Sequence, residues 1–197
     1  CGVCNGDNAC LDAALSLGSF DSSGSLEVLY DFGGPVAGFQ FDVTGLALTA
    51  GSGGAAGDVG MTVSAGGATV LGFSFDNSEI AAGSGVLTVL SFSDVTAGTT
   101  ELTLGNFGAV TDASGNTYNV SVSGSIDHGD QDCAGDYYGD AVVDECGVCD
   151  GSGIADGACD CDGNVLDCAG DCGGSSVEDE CGVCNGDNAC LDAALSL

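Results

Sequence analysis

The residues of this chain that could do chemistry are cysteines and carboxylates, crowded together between residues 128 and 190. Thiols form disulfides or bind metal ions, and aspartate carboxylates bind hard cations such as calcium. An even, dense set of cysteines predicts complete disulfide pairing in an oxidising, extracellular compartment. This segment contains ten of them: Cys133, Cys146, Cys149, Cys159, Cys161, Cys168, Cys172, Cys181, Cys184 and Cys190.

An internal repeat suggests how these cysteines pair. DCAGDYYGDAVVDECGVCDG begins at Asp132, and the similar DCAGDCGGSSVEDECGVCNG begins at Asp167. The first unit has no counterpart of Cys161 or Cys172, so we predict a bridge between these two. Of the many connectivities that remain open for the other eight, we favour sequential pairing within each unit: Cys133–Cys146, Cys149–Cys159 and their counterparts in the second unit.

Two Cys-x-x-Cys pairs, at 146/149 and 181/184, offer an alternative, because this spacing is typical of zinc sites. Three features favour disulfides instead. No histidine lies nearby, the compartment is expected to be extracellular, and the remaining cysteines fit a repeated covalent frame.

The aspartates of the same segment predict calcium sites. Calcium takes six to eight oxygen ligands from carboxylates, amides and backbone carbonyls in glycine-rich loops, and DCDGN at 160–164 is the best local match. Carboxylates this close together would repel one another without a cation, although the alternative is a solvated surface that maintains solubility. The candidate ligands are Asp130, Asp132, Asp136, Asp140, Asp144, Asp150, Asp160, Asp162, Asn164, Asp167, Asp171, Asp179 and Asn185.

The charge balance excludes several functions. The chain has thirty acidic residues and neither lysine nor arginine, so nothing can neutralise nucleic-acid phosphates or anionic lipids. No apolar run reaches the roughly 18 residues of a membrane-spanning helix, so we expect no membrane insertion in this segment. No constellation of acid, base and nucleophile is visible, and we expect that the chain is not an enzyme.

Residues 11–127 have a different composition. They contain no cysteine, and apolar and polar residues alternate between glycine-rich breaks. Period-two alternation predicts strands, here eight or nine, and therefore two packed antiparallel sheets. The predicted inward faces are Leu11, Ala13, Leu15 and Leu17; Leu26, Val28 and Tyr30; Phe39, Phe41 and Val43; Leu71, Phe73 and Phe75; Leu87, Val89 and the neighbouring Phe92; Leu102 and Leu104; and Tyr118, Val120, Val122 and Ile126.

Three further positions carry predictions. GSGGAAG at 51–57 is expected to be a loop, and His128, the only histidine, a linker residue. Asn119 begins the glycosylation sequon Asn-Val-Ser and falls on the outward face of the last predicted strand, where it could carry a glycan.

The segment of alternating residues and the Cys/Asp-rich segment each resemble a known protein family. VAGFQFDVTG at 36–45, GVLTVLSFS at 85–93 and LTLGNFGAVTDASGNTYNVSVSG at 102–124 resemble the cohesin-like domains of secreted bacterial scaffolds. That resemblance implies a jelly-roll β-sandwich over about three-fifths of the chain. The Cys/Asp-rich units resemble thrombospondin type 3 calcium repeats, although their spacing departs from the regular aspartate ladder of that family.

Residues 1–17 and 181–197 are identical, so the sequence is periodic with a step of 180 residues. We therefore interpret 1–10 as the end of a preceding spacer, 11–127 as a sandwich and 128–190 as a Cys/Asp-rich spacer. Residues 191–197 should be the first strand of the next sandwich, with Leu191, Ala193, Leu195 and Leu197 as its assembly face.

This organisation predicts a structural repeat of an extracellular filament, in which copies of the protein join head to tail through junctions stiffened by disulfides and calcium. The alternative is a cohesin-like adhesin or scaffold module that binds a protein or a polysaccharide.

Overall fold

The computed structural model of the chain describes residues 11–190, which are almost entirely strands and turns. The predictions for residues 1–10 and for the assembly strand at 191–197 lie outside this range. Within it run the strands β1 (Asp12–Asp21), β2 (Ser25–Phe32), β3 (Gly38–Thr44), β4 (Leu46–Ser52), β5 (Thr62–Gly66), β6 (Thr69–Phe73), β7 (Gly83–Val95), β8 (Thr99–Thr103), β9 (Ala109–Thr111), β10 (Asn119–Ser123) and β11 (Ser125–Asp127), and the helix α1 (Gly54–Asp58).

The strands form two sheets, which confirms the all-β sandwich. One sheet has the order β10-β1-β2-β7-β4, and the other has the order β11-β8-β3-β6-β5 with β9 paired to β3. β10 and β11 follow each other directly and belong to different sheets. Gly124 joins them with φ 120°, and a Cβ there would lie 2.9 Å from the backbone nitrogen of Leu17, so the crossing requires glycine.

One strand pair departs from the antiparallel prediction. β1 and β10 run parallel, with Ala13 opposite Val120 and Leu15 opposite Val122. β10 reaches this sheet after β8 and β9 in the other sheet, so no hairpin turn fixes its direction. On its other edge, β1 pairs antiparallel with β2, so the first strand lies inside its sheet.

The core lies between the sheets, and the predicted inward faces of β1, β2 and β3 are confirmed there, except that Leu11, which precedes β1, is 37% exposed. Leu15, Val28 and Phe41 are at most 1% exposed. About 25 cal/mol for each Å² of apolar surface removed from water stabilises this arrangement. Apolar side chains of both sheets form one continuous cluster.

For β6 the predicted face is wrong. Val70 is fully buried, while Leu71 is 39% and Phe75 87% exposed. The reason is a contact with β3: a Cβ on Gly72 would lie 2.1 Å from the ring of Phe39, so Gly72 faces inward to leave room for that ring. Val70 shares this inward face, because side chains two residues apart point to the same side of a strand.

The region predicted as a loop at 51–57 is partly helical, which corrects that prediction. α1 covers Gly54–Asp58 and buries Ala56, whose carbonyl accepts a hydrogen bond of 2.9 Å from the backbone N–H of Met61. A single turn leaves no measurable 3.6-residue pattern in a run of glycine and alanine.

His128 is also misplaced as a linker, since its side chain is only 6% exposed. Its Nε2 lies 2.8 Å from the Thr100 hydroxyl oxygen, and its Nδ1 lies 2.7 Å from the Tyr138 hydroxyl oxygen. The ring of Phe20 packs against it at a centroid distance of 5.0 Å. Burial lowers the pKa of His128, and the nearby charge of Asp127 opposes that shift.

The chain divides into two compact units. Of the described residues, the first unit holds 11–131 together with Asp136–Tyr138, and the second holds 132–135 and 139–190. No residue beyond His128 in the described range is fully buried, and Val142 and Val177 are each 70% exposed. The second unit therefore needs support other than a hydrophobic core.

Among the described residues, no helix is long and apolar enough to span a membrane.

The reversed face of β6 gives a first testable prediction. Val70→Ser should cost about 2 kcal/mol or more, because it loses buried apolar surface and places a hydroxyl in the core. Leu71→Ser, its neighbour on the outer face, should cost less than about 1 kcal/mol. Denaturant unfolding of both variants checks this, and equal costs would contradict the assigned face.

Candidate functional site

Five disulfides connect the ten cysteines of the spacer. They are Cys133–Cys149, Cys146–Cys161, Cys159–Cys172, Cys168–Cys184 and Cys181–Cys190. Each bridge closes a loop of chain that contains the first cysteine of the next bridge. We call this interlocked series the disulfide ladder.

The predicted pairing is wrong at every bridge. Cys161 bonds to Cys146 and Cys172 bonds to Cys159. The two cysteines that have no counterpart in the first sequence repeat are therefore not partners. Sequential pairing fails because bridges join neighbouring turns of the chain instead of closing each turn on itself. Both Cys-x-x-Cys pairs are also divided between different disulfides, which leaves them no thiolates for zinc.

Seven of the ten cysteines lie in turns that share the pattern Asp-x-x-Gly-x-x-x-Gly. We call these turns the Asp loops, and they span 132–139, 144–151, 167–174 and 179–186. In the second loop, Asp144 Oδ1 accepts hydrogen bonds of 2.9 Å from the backbone N–H of both Cys146 and Val148. Its Oδ2 accepts one of 2.9 Å from the N–H of Gly153. The carboxylate thus holds three points of the backbone.

The same contacts recur at the other loops. Asp167 accepts N–H groups two, four and nine residues later at 2.9, 3.0 and 2.9 Å. The corresponding distances at Asp179 are 2.9, 2.8 and 3.0 Å. Asp132 accepts from Ala134 at 2.9 Å and from Ala141, nine residues later, at 3.1 Å. The first residue of each loop is therefore its anchor.

Each of the two glycines in the pattern is required for a different physical reason. The first has positive φ, for example 78° at Gly147 and 73° at Gly182, in a conformation that side chains disfavour. At the second, a Cβ would collide with the anchor: Gly151 and Gly186 approach the Oδ2 atoms of Asp144 and Asp179 so closely that only hydrogen fits.

The residue five positions after each anchor ties its loop to an earlier part of the chain. In three loops it is a cysteine, and Cys149, Cys172 and Cys184 bond backward to Cys133, Cys159 and Cys168. In the first loop this position is Tyr137, which belongs to the same compact unit as His128 and packs against its ring at a centroid distance of 6.2 Å.

DCDGN, the best sequence match to a calcium loop, is a compact turn with the same chemistry. Asp160 Oδ1 accepts the N–H groups of Asp162 and Asn164 at 3.1 and 2.9 Å, and its Oδ2 accepts the Asn164 side-chain amide at 2.7 Å. DASGN in the sandwich repeats these contacts around Asp112, with Asn116 in the role of Asn164. This turn is therefore a general Asp-x-x-Gly-Asn structure.

The thirteen candidate calcium ligands fall into distinct groups. Asp132, Asp144, Asp160, Asp167 and Asp179 are half-buried and accept backbone N–H groups, as described above. Asn164 and Asn185 donate through their side-chain amides, the latter to the Ser176 hydroxyl at 3.0 Å. The remaining six are exposed: Asp130, Asp136, Asp140, Asp150, Asp162 and Asp171.

The geometry only partly fits a calcium ion. Among the described residues, the sole group of three histidine, cysteine, aspartate or glutamate side chains with ligand atoms within 4.8 Å of one another is Cys159, Asp160 and Cys172, and its two sulfurs are bonded to each other. A carboxylate has about four lone-pair sites, and three of them accept N–H groups at Asp144, Asp167 and Asp179. An ion in the spacer would therefore draw on the exposed carboxylates and on loop carbonyls.

Hydrogen bonding keeps the anchors ionised. The N–H groups of Val148 and Gly153 lower the pKa of Asp144, and the N–H of Val183 is the largest cause of the lowered pKa of Asp179. The Asn164 side chain and backbone lower the pKa of Asp160. In each case the donors favour the charged form of the carboxyl group.

Asn119, the sequon residue, is exposed on β10, at the edge of its sheet. Its side-chain amide donates a hydrogen bond of 3.0 Å to Asp12 Oδ1 on β1. A glycan on this nitrogen would keep one N–H and project from the sheet edge.

Comparisons with known proteins are sparse. No protein-family model matches the chain, and no curated protein matches it. Among solved structures it is similar to a non-cellulosomal cohesin from the hyperthermophilic archaeon Archaeoglobus fulgidus, with 17% sequence identity and a TM-score of 0.42. The similarity covers 59% of this chain and 90% of that chain. The two-sheet sandwich is assigned from the strand pairing itself, and the resemblance of the spacer to thrombospondin type 3 repeats stays a prediction.

The lowered pKa values predict acid sensitivity of the Asp loops. A carboxyl group whose pKa is lower in the folded state stabilises that state above its ordinary pKa, and this contribution is lost as the pH falls through the folded value. As the pH falls below about 4, the ordinary pKa of an aspartate, protonation of Asp144 and Asp179 should move the amide proton shifts of Val148 and Val183 toward their unbonded values, and the change should occur at lower pH than for an unperturbed aspartate because both pKa values are lowered.

Asp144→Asn provides the matched control. It should disturb the amides of Val148 and Gly153 at every pH and leave those of Val183 and Asn188 titrating as before. Amide shifts that stay constant down to the lowest pH would contradict the anchoring role of the carboxylates.

Proposed function

We propose that this chain is a structural repeat of an extracellular filament, in which sandwiches alternate with covalently fastened spacers. The observation that carries this proposal is the identity of residues 1–17 and 181–197. It makes the end of this repeat the beginning of another. The disulfide ladder supports a secreted location, because five disulfides require an oxidising compartment, and no catalytic role is proposed.

The terminal strand is the proposed connection between repeats. LDAALSL at 11–17 contributes to β1, which lies between β10 and β2 with Leu15 1% exposed. Its copy at 191–197 has the same sequence, so it suits the same position in the following repeat. That repeat can be the continuation of the chain or an adjacent molecule.

Calcium is the proposed counter-ion of the spacers. The chain has neither lysine nor arginine to balance its thirty acidic side chains, and six of the candidate aspartates of the spacer are exposed. Divalent cations binding there would reduce the repulsion between neighbouring carboxylates. Glycans on Asn119 would add to the surface of such a filament.

A pair of variants tests the terminal strand. Leu15→Asp places a charge in the core and should displace β1 from its own sheet. Residues 191–197 of another molecule can then enter the vacated position, so the 197-residue variant should polymerise head to tail. The double variant Leu15→Asp/Leu195→Asp lacks an intact donor strand and should remain unassembled.

Sedimentation and electron microscopy measure this difference. Ser16→Asp is the matched control, since Ser16 is partly exposed and its neighbour on the inward face stays intact. Equal behaviour of the single and the double variant would exclude exchange of this strand.

Chelation tests calcium. Removal of divalent ions from the native assembly should loosen the spacers while the sandwiches persist, because no aspartate or glutamate is buried among residues 11–190. Electron micrographs with and without a calcium chelator would show the repeat spacing broaden, and readdition of calcium should restore it. An unchanged filament would remove calcium from the proposal, and a saturable complex of the sandwich with a protein or polysaccharide would favour the adhesin alternative.

A further inference from the structure

The ladder has a topological property that the separate bridges do not reveal. The loops closed by the five disulfides run from 133 to 149, 146 to 161, 159 to 172, 168 to 184 and 181 to 190. Each loop begins before the previous one ends. Every peptide bond between Cys133 and Cys190 therefore lies inside at least one disulfide loop.

We propose that the spacer is a cleavage-tolerant strap: a segment that keeps its two ends covalently joined after its backbone is cut. Hydrolysis of one peptide bond within a disulfide loop leaves both new ends attached through the bridge. The largely exposed turns between Asp loops, such as 152–158 and 175–178, can be cut while the chain remains one molecule. This property depends on the connectivity alone and holds whether or not the protein forms filaments.

Several simultaneous cuts are tolerated as well. The chain segments 133–146, 149–159, 161–168, 172–181 and 184–190 each lie within a single disulfide loop. If all five are cut, six fragments remain. Each is bonded to the next by one of the five bridges, so the path from Cys133 to Cys190 stays unbroken.

The segments that two disulfide loops share are the weak points against multiple cleavage, and they are short. They are 146–149, 168–172 and 181–184, which lie within Asp loops, and 159–161, which overlaps the start of DCDGN. The anchor carboxylates hold their backbone, for example at the N–H of Val148 and of Val183. Hydrogen bonds thus protect the places where a cut would matter most, since proteases need a locally unfolded backbone.

The same connectivity limits stretching. The shortest covalent path from Cys133 to Cys190 crosses five bridges, with Cα–Cα distances of 5.4 to 5.9 Å, and backbone steps of two to four residues. At up to about 3.6 Å per residue this path is about 70 Å long, against about 200 Å for the same segment without bridges. Tension on the strap therefore passes through sulfur, and the cut turns carry none of it.

This property suits a coreless spacer in an environment that contains proteases. Exposed turns rich in glycine, serine and aspartate are preferred sites of proteolytic nicking. The absence of lysine and arginine removes every site for proteases that cleave after basic residues. At sites cleaved by other proteases, the disulfide ladder keeps the fragments joined.

The lack of basic residues also gives a clean experiment. Ser175→Lys creates a single trypsin site in an exposed turn that only the Cys168–Cys184 bridge encloses. After trypsin, the 197-residue protein should run as one species in denaturing gels without reductant and as two after reduction. Gln131→Lys, whose bond to Asp132 lies outside the ladder, should give two species in both conditions.

Bridge deletions assign the effect. Ser175→Lys combined with Cys168→Ser/Cys184→Ser should separate into two pieces without reductant, whereas combination with Cys146→Ser/Cys161→Ser should not. Ser152→Lys, enclosed only by Cys146–Cys161, should show the opposite dependence. Two pieces from trypsin-treated Ser175→Lys with all bridges intact would overturn the proposal, as would resistance of both lysine variants to trypsin. Either result leaves filament assembly to its own tests.

Discussion

The spacer depends on one interaction, the carboxylate of an aspartate accepting backbone N–H groups of its own loop. In a chain without lysine or arginine, negative charge is stabilised by neutral hydrogen-bond donors, chiefly backbone N–H groups. Each anchor holds the backbone two and nine residues ahead, and Asp144, Asp167 and Asp179 also hold it four residues ahead. These hydrogen bonds fix the shape of each loop and so place its cysteines close to their partners in neighbouring turns. The disulfides then stabilise the spacer in the absence of a hydrophobic core.

The two units thus solve the stability problem differently. The sandwich buries leucine, valine and phenylalanine from both sheets, and its stability derives from the area removed from water. The spacer exposes its valines and derives its stability from restriction of the unfolded chain, at about 2 to 4 kcal/mol for each bridge. Solvent conditions should therefore separate the two units: reductant acts on the spacer, and denaturant acts mainly on the sandwich.

Local patterns predicted what local physics determines. Alternation identified β1, β2 and β3 and their inward faces, because burial on one side of a strand leaves a period of two. It failed at β6, where the face depends on the ring of Phe39 from another strand filling the space above Gly72. The disulfide pairing also failed, since connectivity depends on which turns become neighbours. A finer repeat, the twelve residues from Asp132 to Asp144 and from Asp167 to Asp179, would have revealed the Asp loops.

The parallel pairing of β1 with β10 has a mechanical consequence. The chain enters the sandwich at the start of β1 and leaves it after β10 and β11, and parallel strands place these two points at opposite ends of the paired region. A pulling force along the strands would slide Asp12–Ser16 past Asn119–Ser123. The hydrogen bonds between them would then have to rupture together rather than one after another, which is the loading direction in which a β-sheet resists most.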